Sequence, residues 1–168
     1  LETAYYDLLA RHAGVDFADV LGGALDTSIE DYFSISEEQP DRVCQRISMA
    51  GAQRKVIQLK VGVYSLAHEL GLIQTALDLL HESQTLLVDA NGGWSPAQAS
   101  QAMGAIQDPR LIWEEPCASY EENRNLLETF DPQILLDGET SRDFDAAKRA
   151  VHDGMAFGMC VKPALIGG

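Results

Sequence analysis

The feature that most constrains this chain is a pattern repeated along it: an apolar, β-type run that stops on a charged residue. Its clearest copy is Gln84-Thr85-Leu86-Leu87-Val88-Asp89-Ala90-Asn91-Gly92-Gly93-Trp94. Residues 85–88 lack the alternation of a half-wet sheet and so read as a strand buried on both faces. Asp89 falls where that strand meets its exit loop, the end of a parallel α/β sheet or barrel at which ligands bind. Alone, an Asp there is explained as well by a turn or a helix cap. The same arrangement recurs in Val56-Ile57-Gln58-Leu59-Lys60, Leu111-Ile112-Trp113-Glu114, Ile134-Leu135-Leu136-Asp137-Gly138-Glu139 and Met159-Cys160-Val161-Lys162. Successive copies are about 23 to 29 residues apart, the length of one strand, one helix and two short loops.

The intervening stretches read as helices. Leu1, Ala4, Tyr5, Leu8, Leu9 and His12 recur at helical spacing, and Gly14 supplies a stop. A short helical piece over 16–21 ends at Gly22-Gly23, and 29–36 gives a first strand. A helix over 41–51 turns Val43, Ile47 and Ala50 inward. One over 65–82 carries Leu66, Leu70, Ile73, Ala76, Leu77 and Leu80 on one face, and the next opens on Ser95 as N-cap with Pro96 in the first turn. Helices near 120–130 and 142–152 follow, the latter expected to bury Phe144, Ala147 and Val151, and 158–162 is the last strand. Six strands in βα order suit a parallel sheet with right-handed crossovers. A TIM-type (β/α) barrel needs eight strands in typically about 250 residues. The expectation is therefore an α/β chain with about six of eight βα units, a piece of a larger barrel protein, in which residues 29–168 form strands 1 to 6 of a partial barrel.

Composition removes several functions. A 168-residue chain with 46% apolar content can bury one core. No apolar run approaches the roughly 20 residues of a membrane span, and the first residues do not resemble a signal peptide, so no membrane partner and a cytoplasmic location are expected. The formal net charge of −14 argues against a nucleic-acid partner, which needs a basic footprint. Cys44, Cys117 and Cys160 have no metal-ligand spacing and are expected as reduced thiols, with Cys117 a small neutral side chain. The histidines fall on predicted helices, and Trp94 and Trp113 read as packing residues.

Three acids at the ends of consecutive strands, Asp89, Glu114 and Glu139, would point into one barrel mouth. Converging carboxylates repel one another unless a cation lies between them. Oxygen-only ligation selects a hard ion, with Mg²⁺ the expected one. Lys60 and Lys162 flank the acids. A divalent ion and partial burial would lower a lysine pKa toward the range of a general base.

These residues stand in motifs that resemble the enolase superfamily, in its mandelate-racemase and muconate-lactonizing branch: Leu59-Lys60-Val61-Gly62, Val88-Asp89-Ala90-Asn91, Trp113-Glu114-Glu115-Pro116, Asp137-Gly138-Glu139, and Val161-Lys162 followed by Ile166-Gly167-Gly168. The resemblance covers nearly the whole chain, and residues 1–28 resemble the tail of that family's capping domain entering the barrel. It implies Asp89, Glu114 and Glu139 as Mg²⁺ ligands, with Lys60 and Lys162 as acid and base on opposite faces of a small carboxylate substrate. The implied reaction is removal of the proton α to the carboxylate through an enediolate, the example that enolase-type sites provide of charge stabilisation by a fixed cation. Gln58 and Asn91 are the candidate substrate contacts, Asn91 being explained as well by a turn before Gly92-Gly93, and the full-length protein is expected to be a homo-oligomer.

Two departures from the family pattern matter. The family's lysine pair is Lys-x-Lys, whereas Gln58 takes the first place here and supplies no positive charge to Lys60. Asp137-Gly138-Glu139 offers two acids, and its Gly-Glu form favours Glu139 as ligand with Asp137 as a turn or supporting residue. Lysines on both faces suit racemisation or epimerisation, and equally dehydration, cycloisomerisation or sugar-acid dehydration. The strings Gln58-Leu59-Lys60-Val61-Gly62, Glu114-Glu115-Pro116-Cys117 and Tyr120-Glu121-Glu122 most resemble members acting on proline-like amino acids, hydroxyproline epimerases and cis-3-hydroxyproline dehydratases. The competing expectations are a degenerate barrel homologue that only binds a ligand or partner, and a flavodoxin-like binding protein. The second lacks a glycine-rich phosphate loop after its first strand.

Overall fold

A computed structural model describes residues 2–24, 30–138, 140–155, 157–162 and 165. Helices α1 (Glu2–Ala13) and α2 (Phe17–Val20) precede strand β1 (Tyr32–Ile35), and strict alternation follows: α3 (Pro40–Ala50), β2 (Val56–Lys60), α4 (Leu66–Leu79), β3 (Thr85–Asp89), α5 (Pro96–Ala105), β4 (Leu111–Glu114), α6 (Tyr120–Leu126), β5 (Ile134–Leu136), α7 (Phe144–His152) and β6 (Gly158–Met159). All six strands pair in parallel in the order β1-β2-β3-β4-β5-β6. That neighbour-to-neighbour order is the winding of a barrel wall, because every crossover returns to the adjacent strand.

Side chains alternate across each strand, and the two faces differ. Ile57, Leu59, Leu86, Val88, Leu111, Trp113, Ile134 and Leu136 point to the helix layer and are buried against Val43, Ile47, Ile73, Ala76, Leu77, Ala99, Ala102, Met103, Leu126 and Ala150. The other face carries Gln58, Leu87, Ile112 and Leu135, of which Ile112 and Leu135 are half-buried. Ser95 and Ser119 each open a helix with a full capping box, closed by Gln98 and Glu122.

Several boundaries and faces differ from expectation. β1 is confined to Tyr32–Ile35, and the predicted strand start at Ile29 lies outside the described residues. α7 buries Ala146 and Ala150, one turn apart, and leaves Phe144 71% and Val151 62% exposed. Two alanines supply the buried face of this helix, while Phe144 turns outward beneath Lys148, whose Nζ stands 4.6 Å from the ring centroid. In α1 Tyr5 and Leu8 are exposed and Ala10 is buried. α4 ends at Leu79, and its buried face includes Leu72 and the carboxylate of Glu69. No helix among the described residues is long and apolar enough to cross a membrane.

Candidate active site

The strand ends bring together most of the residues singled out in the sequence. Register places Lys60 beside Asp89 and Asp89 beside Glu114, so all three share a face at the carboxyl end of the sheet. Lys60 Nζ donates to Asp89 Oδ2 at 2.9 Å. Gln58, two residues earlier on the same face, sits beneath them. Its Nε2 donates to Asp89 Oδ2 at 3.0 Å and to Glu114 Oε2 at 2.9 Å, and its Oε1 accepts from Ser34 Oγ at 2.7 Å. Asp89 and Glu114 are each only 4% exposed, so one neutral amide holds two buried carboxylates within its own reach.

The row continues across β5 and β6. Asp137 is buried at the exit of β5, where its Oδ2 accepts from Lys162 Nζ at 2.5 Å and its Oδ1 from Ser141 Oγ at 3.0 Å. Cys160 Sγ donates to Glu114 Oε1 at 3.1 Å, and ligand atoms of Glu114, Asp137 and Cys160 all lie within 4.8 Å of one another. Glu139, the preferred third metal ligand, lies outside the described residues, as do Ile166, Gly167 and Gly168 of the last motif. Across five consecutive strands the order is therefore amine, acid, acid, acid, amine.

Backbone geometry at the exits is specialised. Asn91 (φ 47°) and Glu115 (φ 40°) occupy the left-handed region, uncommon for residues with a side chain and frequent at functional sites. Asn91 N–H donates to Asp89 Oδ1 at 3.0 Å, which turns the chain and fixes the carboxylate together. The Asn91 side chain is left exposed at the rim. Glu115 reaches across to accept from Gly138 N–H at 2.7 Å, and its carboxylate packs where a Cβ on Gly138 would stand, 2.6 Å from Oε1, so a larger residue there would displace it. Burial pushes the Glu115 carboxyl up, against the opposing effect of that hydrogen bond.

The hydrogen bond to Asp89 holds the Lys60 ammonium above its ordinary range, against partial desolvation, and Asp137 does the same for Lys162. The carboxylates beside each amine favour its protonated form, whereas the lowering expected from the sequence is the effect of a bound divalent ion. Burial, then the hydrogen bond to Glu114, pushes the Cys160 thiol up. Burial also pushes Cys117 up to about 11, in keeping with a neutral side chain.

Cys160 and Ser34 are neighbours of the site that the motifs do not point to. Cys160 shares strand parity with Lys162, and Ser34 pairs in register with Gln58. Period-two counting back from Lys162 is enough to find the first; the second needs the register itself.

A protein-family model described as "Enolase C-terminal domain-like" matches residues 41–168. The chain belongs to that family. This enolase-like chain is 32% identical over 138 residues to a cis-3-hydroxy-L-proline dehydratase of Roseibium aggregatum, covering 82% of the chain and 37% of the relative. It is 27% identical over 149 residues to a D-Ala-D/L-Ala epimerase of Cytophaga hutchinsonii, covering 86% of the chain and 40% of the relative. A solved member of the enolase superfamily from Roseovarius nubinhibens, complexed with magnesium, superposes with a TM-score of 0.84 at 27% identity, over 97% of the chain and 44% of that structure. The enolase-like chain thus spans well under half the length of the proteins it matches, and its curated relatives are enzymes.

Proposed function

We propose that this chain carries the catalytic strand ends of a Mg²⁺-dependent enzyme that removes the proton α to the carboxylate of a small substrate, leading to racemisation, epimerisation or dehydration. The observation that carries this reading is the row of Lys60, Asp89, Glu114, Asp137 and Lys162 at or just beyond the carboxyl ends of five consecutive strands. The donors fit a hard cation: Asp89 and Glu114 offer buried carboxylate oxygens on either side of the Gln58 amide, and both need compensation for their charge. Asp89, Glu114 and Glu139 would hold it. Mg²⁺ bound there would neutralise the second negative charge that grows on the substrate carboxylate as the α-proton leaves.

The chain's own groups do the rest. Lys60 and Lys162 stand at opposite ends of the acidic row, so one takes the proton from one face of the α-carbon and the other returns or supplies one from the opposite face. Asp137 orients Lys162, as Asp89 does Lys60. Gln58 forms the floor of the substrate space and Asn91 its rim. A proline-like amino acid is the substrate class favoured by the relative that acts on cis-3-hydroxy-L-proline. A second reading, a homologue that binds but does not turn over, draws on Gln58, which gives Lys60 no neighbouring ammonium.

Two measurements test this. Calorimetric titration should show saturable Mg²⁺ binding that Glu114→Gln suppresses. The full-length protein should exchange the α-proton of proline or hydroxyproline isomers into deuterated water, with Lys60→Ala and Lys162→Ala each abolishing interconversion of the isomers. Metal binding without exchange of any such substrate favours the second reading; absence of metal binding removes both the cation and the mechanism.

A further inference from the structure

We infer that Glu69, a helix residue outside the row of charged strand ends, is a positioning residue that holds the exits of β2 and β3 in the register the metal centre needs. The inference rests on the Mg²⁺ reading above. Glu69 is fully buried on α4, an unusual place for a carboxylate unless its oxygens are satisfied. Both are. Oε1 accepts from the N–H groups of Val63 and Tyr64 at 2.7 and 2.8 Å, in the loop that begins just after Lys60. Oε2 accepts from Trp94 Nε1 at 2.7 Å, in the loop that follows Asp89. One side chain therefore joins the loop behind the first amine to the loop behind the first acid.

The tie extends further. Trp94 packs on Trp113 with ring centroids 5.8 Å apart, and Trp113 immediately precedes Glu114. Between the tied loops the backbones are in contact: a Cβ on Gly62 would overlap the carbonyl of Ala90, and one on Gly93 the carbonyl of Gly62. The backbone contacts at Gly62, Ala90 and Gly93 pass a displacement at Trp94 directly to the residues flanking Asp89. The alternative is that Glu69 merely caps the start of α4 by satisfying two N–H groups ahead of the helix. Oε1 alone would suffice for that; the bond to Trp94 goes beyond it.

The test uses Mg²⁺ as the probe. Glu69→Gln keeps the volume and one acceptor for Val63 and Tyr64 but turns an amide N–H toward the indole N–H. Trp94→Phe removes the indole donor from the other side. Each should weaken Mg²⁺ binding roughly three- to tenfold by calorimetry, below the 10–100-fold typical of groups that contact a ligand directly. The double variant should lose no more than either single one. Ile73→Val, fully buried on the same helix, should lower the melting temperature and leave the Mg²⁺ affinity unchanged. Wild-type affinity in Glu69→Gln, whatever its melting temperature, overturns the inference and leaves a helix cap. If that variant does not fold, wild-type affinity in Trp94→Phe overturns it equally. Absence of saturable binding in the unsubstituted protein removes the metal centre, and this inference with it, and is recognised because no substitution is involved.

Discussion

At the scale of single residues, the site is held by hydrogen bonds whose loss has calculable direction. Gln58 donates from one amide nitrogen to two buried carboxylates, so Gln58→Leu strips a donor from both. Asp89 Oδ2 keeps its bond from Lys60, whereas Glu114 Oε2 loses the donor that holds it, at a cost of about 1–3 kcal/mol for a buried acceptor. The expected outcome is an unfolding free energy lower by that order in urea titration, partly recovered when Mg²⁺ is added, since a cation offers the same oxygens a partner. The two acids after β5 separate by a pair of variants. Glu139→Gln is expected to weaken Mg²⁺ binding more than tenfold, whereas Asp137→Asn spares most of it and instead slows the exchange step served by Lys162, whose amine it orients. Calorimetry and deuterium exchange read the two effects apart, and the reverse pattern would make Asp137 the ligand.

At the scale of elements, the strand exits are shaped by a few backbone requirements. Gly62 has φ +88°, and a methyl group there would run into the carbonyl of Ala90. Gly62→Ala combines that overlap with an unfavourable backbone region, so a loss of about 2 kcal/mol or more is expected in chemical denaturation, with reduced Mg²⁺ binding because Lys60 and Asp89 flank the contact. The loop after β4 is pinned differently: Asn123 on α6 accepts from Cys117 N–H at 2.8 Å and donates to its carbonyl at 2.9 Å, imitating a neighbouring strand. The strands were legible in the sequence because a short uninterrupted apolar run, β-branched and ending on a charge, suits a buried parallel strand far better than a surface helix. α7 was not, since bulk suggests Phe144 and Val151 as the buried face whereas the helix buries its small Ala146 and Ala150 instead. Glu69 was hidden for a different reason: a charged residue within an apolar helical stripe looks like a surface position until its three N–H partners, five to 25 residues away, are brought together.

At the scale of the whole molecule, burial of neutral ionisable groups contributes to a loss of stability at alkaline pH. Cys117 is raised from 9.0 to about 11, chiefly by burial. Tyr120 is raised from 10.0 to about 12, by burial and then by its hydrogen bond to Asp153. Below pH 9 both groups are neutral folded and unfolded, and neither makes stability depend on pH. Above it the unfolded chain releases protons that the fold retains, so stability falls as pH rises through about 9 to 12. Urea midpoints at pH 8, 10 and 11 should decline in that order, and Cys117→Ala should flatten the fall between pH 9 and 11. The partial barrel and its charged row were legible as a period in the chain; the bridging role of Gln58 was not, since it depends on which strands become neighbours. That neighbourhood has a consequence of its own. Lys60, Asp89 and Glu114 are each contributed by a different paired strand, and a slip of one position in either pairing would swing one of them to the helix side. A chain that mispaired could not assemble the cluster at all, so capture of the ion doubles as an inspection of whether every ribbon has docked in its proper frame.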